Sequence, residues 1–234
     1  NLRLKMNKLF EIYENEKLDV KIVCEVGVYY PETSKLKEFI DKGIQAVLVE
    51  ADPLCIEKIE TYFKGKDIKI FPFAVWDKEE TVTLYRSQAS TFLEGINESP
   101  AIVNDNYKLN KEDSFTVEAK LFSSLDSGDI DILSIDIEGA EWFVLKHLVS
   151  RPKLINIELR AGKYSNPYKN EIENWLSTNN YKLLIHDDTD SIFYKEGSLQ
   201  ISSADKISNS IGNISTELNH SIQKLKRTIF KKDK

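Results

Sequence analysis

Cysteine is scarce: the 234 residues hold two, Cys24 and Cys55, each inside an apolar segment and neither in a CxxC spacing. A disulfide framework and a thiolate zinc site therefore lack support, and both residues read as small buried hydrophobes. Glycine and proline are also few, nine and six, which excludes a collagen-like or low-complexity chain. No stretch reaches the roughly 18 consecutive apolar residues of a membrane-spanning helix, and no apolar run with a small-residue cleavage site stands near the start. The expectation is a cytoplasmic protein with no transmembrane segment. Positive charge is the minority, 32 Lys and Arg against 38 Asp and Glu for a net charge of −6. A surface given over to nucleic-acid phosphates is thereby disfavoured, and no nucleic-acid partner is expected. What is present is 41% hydrophobic and 10% aromatic residues, enough for the core of one domain with an appendage. The start at Asn1 rather than Met suggests a processed chain or a segment of a longer polypeptide.

Residues 1–19 predict an amphipathic helix, with Leu2, Met6, Leu9, Phe10 and Tyr13 returning at spacings of three and four. From there short apolar runs alternate with helical stretches, the pattern of an α/β fold with a mostly parallel, doubly wound, Rossmann-like sheet. Strands are expected at Lys21 to Val26, Gln45 to Val49, Lys69 to Val75, Asp131 to Ile135 and Leu154 to Leu159. Helices are expected at Thr33 to Lys42, at Pro53 to Phe63 with Asp52 as cap, at Ala140 to Leu148 and at Glu171 to Thr178. Thr81 to Tyr85 and Phe115 to Leu121 alternate apolar and polar residues and read as antiparallel additions. Tyr181 to Ile185 and Ser191 to Tyr194 read as a terminal antiparallel hairpin. Between the two additions, Ser87 to Ser114 is polar and loop-like, long enough to suggest function.

The segment 198–234 is different in kind. Ile207, Ile211, Ile214, Leu218, Ile222, Leu225 and Ile229 keep one face of a helix, and the segment carries net charge +4 against −10 for the rest. The expected partition is an N-terminal helix over 1–19, a catalytic domain over 20–197 and an amphipathic tail over 198–234. The tail's face is expected to pack on its own domain or on a second copy, with a membrane surface as the alternative.

In an open parallel sheet, ligands bind beyond the carboxyl ends of the strands where the strand order reverses. Those ends are acidic here: Glu25 on the first strand, Glu50 and Asp52 on the second, Asp136, Glu138 and Glu141 on the fourth, Glu158 on the fifth. Ionised groups at a buried edge are costly without partners, and a ligand with hydroxyls and a positive charge supplies them. Gly27 stands alone where a dinucleotide fingerprint needs three glycines, so close approach of a pyrophosphate is disfavoured. Glu50, 23 residues beyond Gly27, is placed to accept from both hydroxyls of a ribose. Together these features fit S-adenosylmethionine better than a nicotinamide dinucleotide.

The run from about Val20 to Glu196 resembles the FkbM-type methyltransferases, a family of class I S-adenosylmethionine-dependent enzymes. Glu25, Gly27 and Ser34 match its first-strand pattern, with departures at Val28, Tyr29 and Pro31. Glu50-Ala51-Asp52-Pro53 resembles its second motif, and Phe73-Ala74-Val75 stands where its third motif approaches adenine. The closest match is Leu133-Ser134-Ile135-Asp136-Ile137-Glu138-Gly139-Ala140-Glu141 followed by Val144-Leu145, with Ser134 in place of the usual Lys. The resemblance implies that Gly27, Val28 and Tyr29 pass under the methionine portion, while Glu25 and Ser34 hold its amino and carboxylate groups. By the same resemblance Glu50, with Ala51 and Asp52, binds ribose, Phe73, Ala74 and Val75 contact adenine, and Asp136 faces the methyl group.

Methyl transfer to a hydroxyl requires in-line alignment and removal of the hydroxyl proton. Asp136, Glu138 and Glu158 are the candidate bases, and the same carboxylates suit a divalent cation such as magnesium as the less favoured alternative, its ligands unassigned. Glu141, in the first turn of a helix, reads as a cap. His186, beside Asp187 and Asp188, is a further candidate base, whereas His147 and His220 read as packing or solvent residues. Family likeness makes a sugar or glycan hydroxyl the expected acceptor, with a fused or associated glycosyltransferase as expected partner. A small secondary metabolite is the alternative acceptor, and a non-catalytic assembly module the alternative class. Tyr85, Arg86, Tyr107 and Lys108, in and beside the 87–114 segment, are expected at an acceptor lid. Ser165-Asn166-Pro167-Tyr168 is superficially similar to the motif of nucleic-acid amino methyltransferases but follows the wrong strand, and its match is taken as accidental.

Overall fold

The computed structural model describes residues 7–87, 90–96, 99–186 and 189–199. The tail helix expected over 198–234 therefore lies, from residue 200 on, outside the described residues, as do Leu2, Met6, Asp187 and Asp188. In chain order the first elements are α1 (Lys8–Asn15), β1 (Ile22–Val26), α2 (Lys37–Asp41), β2 (Gln45–Val49), α3 (Pro53–Tyr62) and β3 (Ile68–Phe71). A second group follows: β4 (Ala74–Val75), β5 (Glu80–Arg86), β6 (Thr91–Leu93), α4 (Pro100–Asp105) and β7 (Ser114–Lys120). The chain then continues through β8 (Ile132–Ile135), α5 (Glu141–Lys146), β9 (Leu154–Glu158), β10 (Arg160–Ala161), β11 (Tyr164–Ser165), α6 (Lys169–Thr178), β12 (Tyr181–His186) and β13 (Asp190–Lys195).

Seven strands form the main sheet in the order β12-β13-β9-β8-β1-β2-β3, parallel from β9 to β3 and closed by the antiparallel β12–β13 hairpin. Strand order reverses between β1 and β8, which makes that edge the switch point of the fold. Side chains alternate across the pleat, and adjacent residues serve opposite cores. Cys24, Leu133 and Ile155 pack with Val144, Leu145, Ile172 and Leu176 beneath α5 and α6. Val23, Ile132 and Leu154 pack with Leu9, Phe39, Ile40 and Ile59 beneath α1, α2 and α3. Both cysteines are free and buried. A second sheet, β4-β7-β5-β6, stands beside the switch point, with β7 antiparallel to β5 as the alternation predicts. No helix among the described residues is long and apolar enough to cross a membrane.

The helix expected over 1–19 is, among the described residues, the shorter α1, which starts after the Asn7 cap and ends at Asn15; three further elements differ, each for a local reason. The helix expected at Thr33 to Lys42 is broken into a 3-10 turn, Pro31–Thr33, and the short α2. Between them Ser34 leaves the helical region, with ψ 131°, where the Glu25 carboxylate takes the Ser34 hydroxyl and the Lys35 N–H. The strand expected at Lys69 to Val75 is split, since Pro72 has no N–H for the ladder. β3 ends at Phe71 in the main sheet, and Ala74–Val75 pairs with β7 in the second. The stretch 87–114 carries β6 and α4 rather than only loop, and α4 is clasped to the β10–β11 hairpin by Asn104, which donates to the Ala161 carbonyl and accepts from the Lys163 N–H.

Candidate functional site

A cavity of about 330 Å3 opens over the carboxyl ends of β1, β2 and β8, roofed by β4, β5 and β6. Its volume is in the range of small-molecule sites. Its wall combines polar side chains, among them Glu25, Thr33, Lys35 and Asp136, with apolar ones, among them Phe73, Val75, Leu84, Phe92 and Leu93, and Glu50 joins it from just beyond β2.

Each carboxylate is held differently. Glu25, at the end of β1, accepts from the Ser34 hydroxyl at 2.5 Å and the Lys35 N–H at 2.9 Å. Burial still dominates and pushes its pKa up to about 7. Glu50 accepts three backbone N–H groups, from Tyr29 (2.8 Å), Ala51 (2.8 Å) and Asp52 (2.9 Å), which leaves about one of its four lone-pair sites for a ligand. Burial raises its pKa while these bonds oppose the rise. Tyr29 turns the chain with φ +55°, aiming its N–H at Glu50.

Gly27 has φ +85°, and a Cβ there would lie 1.9 Å from the Asp136 carbonyl oxygen. Its demand for glycine comes from the crossing of the β1 and β8 loops. That crossing brings Asp136 and Glu138 into the cavity wall beside Gly27 and Val28. Burial and the nearby Asp190 raise the Asp136 pKa to about 6, with Lys35 pulling the other way. Glu138, at φ +58°, is pushed up to about 8 by burial and by Asp136, and its Oε2 is buried without a partner. Glu141 is fully buried beneath this loop and accepts from the Ile137 N–H at 3.0 Å and the Gly139 N–H at 3.1 Å. Asn166 also donates to Glu141 and accepts from the Tyr168 N–H, so this buried asparagine braces the loop.

Ala51, Phe73, Ala74 and Val75 line the cavity, but Ser34 and Asp52 do not. Ser34 holds Glu25, and Asp52 caps α3 while forming a bidentate pair with Arg86 at 2.6 and 2.9 Å. Arg86 also lies 3.8 Å over the Phe115 ring, Tyr85 donates to Glu94, and Tyr107 donates to Asp113. Those three expected lid residues are thus engaged within the second sheet and its neighbours. Glu158 is buried at the end of β9, outside the cavity wall, with its pKa pushed up to about 10 by burial and by the charges of Asp136, Glu138 and Glu141. His186 stands on the outermost strand with Nδ1 2.8 Å from the Ser191 hydroxyl, also away from the wall. Among the described residues no three His, Cys, Asp or Glu side chains are arranged to hold a metal ion. Thr33, Lys35, Leu84 and the Ser90 to Leu93 run line the cavity without being singled out by sequence motifs.

The donor set fits an adenosyl amino acid. Its purine suits the apolar liners, its ribose hydroxyls the open capacity of Glu50, and its charged tail the cluster of Glu25, Asp136 and Lys35. Four acids against one lysine in the wall disfavour a pyrophosphate.

No curated protein matches the chain. Among solved structures, the methyltransferase domain of bacterial CtHen1 is 11% identical, with 81% of this chain and 97% of that one covered and a TM-score of 0.43. The S-adenosylhomocysteine-bound methyltransferase PaMTH1 of Podospora anserina is 13% identical, covering 84% and 80%, with a TM-score of 0.43. Aeropyrum pernix fibrillarin, bound to S-adenosyl-L-methionine, is 13% identical, covering 80% and 73%, also at 0.43. At such values these likenesses carry no argument about the reaction. The family description "Methyltransferase FkbM domain", by contrast, matches residues 22–183, more than half of the chain. With the strand order, the carboxyl-end cavity and that match in agreement, the chain belongs to the FkbM methyltransferase family and is an S-adenosyl-L-methionine-dependent methyltransferase.

Proposed function

We propose that the chain methylates a hydroxyl group of a sugar or glycan, with Asp136 as the base. The observation that carries this reading is the pair of unlike carboxyls in one stretch of cavity wall, Asp136 and Glu138. Asp136, with a pKa near 6, is ionised at neutral pH and accepts the proton of an acceptor hydroxyl at its carboxylate oxygen. Glu138, with a pKa near 8, keeps its proton there and donates a hydrogen bond to the same or a neighbouring hydroxyl. Its unpartnered Oε2 and the buried, unpartnered Oγ1 of Thr91 are further polar atoms that a polyhydroxylated ligand satisfies. Glu158, pushed to about 10, is a neutral acid at working pH and serves poorly as a base. Bound in the cavity, S-adenosylmethionine supplies a methyl group activated by a positively charged sulfur. Toward that cofactor, Glu50 accepts ribose hydroxyls, Phe73 to Val75 flank the purine, and Glu25 with Asp136 faces positive charge. Ser34 and Asp52 act indirectly, by fixing Glu25 and the start of α3.

The test is incubation of the purified chain with methyl-labelled S-adenosylmethionine and separate panels of oligosaccharides, small hydroxylated metabolites, proteins and nucleic acids. Label in alkali-stable ether linkage on a saccharide is expected. Label on the metabolite panel alone would move the acceptor class, and label only on proteins or nucleic acids would overturn the reading.

A further inference from the structure

Lys35 is the one cation in the cavity wall among the described residues, and Glu25 and Asp136 stand close enough to act on its charge. Its backbone is fixed there, because the Lys35 N–H donates to Glu25 Oε1 at 2.9 Å. Its ammonium pairs with Asp190 at the start of β13. Asp190 in turn accepts from Asn156, which donates also to Ser134, so a polar row crosses β13, β9 and β8 on the face that Glu25 shares. Burial works against charge on Lys35, yet Asp190 beside it more than offsets this and holds its pKa above the ordinary value. One of the three ammonium protons goes to Asp190, which leaves two for a ligand.

The cofactor of this family carries a zwitterionic tail, an ammonium and a carboxylate on one carbon. Glu25 suits the ammonium, and Asp136 stands close by. Placed among those acids alone, the carboxylate would be repelled by both. We propose that the Lys35 ammonium binds the carboxylate of the cofactor's amino-acid tail, and that Asp190 is the positioning residue that holds Lys35 there. The bland alternative is a tether: the Lys35–Asp190 pair joins the β1–α2 loop to the terminal hairpin and touches no ligand. The two roles differ in one respect, since only the first depends on the ligand's carboxylate.

Calorimetry separates them with two probes, S-adenosylhomocysteine and its decarboxylated analogue, which keeps the adenosine, thioether and primary amine and has hydrogen in place of the carboxylate. The native chain is expected to bind S-adenosylhomocysteine about tenfold or more tightly than the analogue, the scale of one charge-assisted hydrogen bond. Lys35→Met is expected to weaken S-adenosylhomocysteine by that factor and to leave the analogue within about twofold, erasing the preference. Lys35→Arg should keep a preference, and Asp190→Asn should shrink it. Where Lys35→Met alone fails to fold with Asp190 left unpaired, the double variant Lys35→Met/Asp190→Asn removes the orphaned charge and is measured instead. Equal weakening of both probes, or of neither, would overturn the proposal. Failure of the native chain to bind either probe would overturn the cofactor assignment along with it, a result distinct from the other two.

Discussion

The two banks of the cavity treat their carboxylates in opposite ways. On the β1 and β2 side, Glu25 and Glu50 are tied by short bonds to nearby donors, two for Glu25 and three backbone N–H groups for Glu50. On the β8 side, Glu138 keeps a buried oxygen without a partner and is pushed up to about 8, while Glu158, at the end of β9, stands outside the wall. A carboxylate tied to backbone N–H groups is a fixed acceptor whose geometry survives the loss of its ligand. One that is under-partnered is adjustable in protonation, which suits proton transfer. On the proposed function the first bank holds and the second reacts, and Gly27 is where the two touch.

The largest way to break that division is Gly27→Ala. A methyl group 1.9 Å from the Asp136 carbonyl oxygen, at φ +85°, forces the β1 and β8 loops apart. Destabilisation by about 3 kcal/mol or more is expected, with loss of S-adenosylhomocysteine binding. Thermal unfolding and calorimetry on the variant check both. Next is Asp136→Asn, expected to lower kcat by about 10²- to 10⁴-fold while S-adenosylhomocysteine affinity changes far less. Glu158→Gln, already neutral in effect at pH 7, is expected to keep kcat within about threefold. Equal losses in these two variants would show that the reacting bank extends to β9. Both need the acceptor found by the labelling experiment, and single-turnover rates isolate the chemical step.

Much of the holding bank was legible in the sequence, and less of the covering parts. Acidic residues at successive strand ends, Gly27 and the Asp136 to Glu141 block point to the cavity because a strand's carboxyl end follows from alternation and length alone. Lys35 was not legible, since its reach into the site depends on Glu25 breaking the expected helix, and on Asp190 arriving from 155 residues away. The split of β3 and β4 was written in Pro72, yet an apolar run on both sides of it reads as one strand. β6 and α4 were hidden because short elements leave too few residues for a period, and α4 is clasped by Asn104 to a hairpin 57 residues distant. Arg86, expected at a lid, forms a bidentate pair with Asp52, a tertiary fact that neither residue announces.

A smaller effect sharpens the contrast through pH. Glu25 and Glu141 have folded pKa values near 7 and Glu138 near 8, all above the ordinary 4.5 of the unfolded chain. The folded state therefore binds more protons than the unfolded one across this window, so stability is highest near pH 4.5 and falls as pH rises through 8, and Glu158 carries the fall on to about pH 10. The lowered pKa values of Asp41, Asp77 and Asp131 act below about 3.8 and leave the window unaffected. A ligand-free melting temperature a few degrees lower at pH 8 than at pH 5.5 is expected. Glu141→Gln, which cannot ionise, should flatten the slope between 4.5 and 7. A melting temperature that rises across this window would mean that the buried acids have partners the geometry does not give them.

The smallest effect is expected at His186. Its ring is occupied by the Ser191 hydroxyl on the adjacent strand, and β12 is separated from β8 by β13 and β9. At about 4.8 Å per strand, roughly 14 Å stands between it and the strand that carries Asp136, too far for direct proton transfer. His186→Ala is expected to leave kcat/KM within about twofold across pH 6 to 8, and a histidine-range inflection in the native pH profile should persist in the variant if one exists at all. Loss of that inflection with the substitution would move the base from the β8 loop to the terminal hairpin, and the reacting bank of the cavity with it.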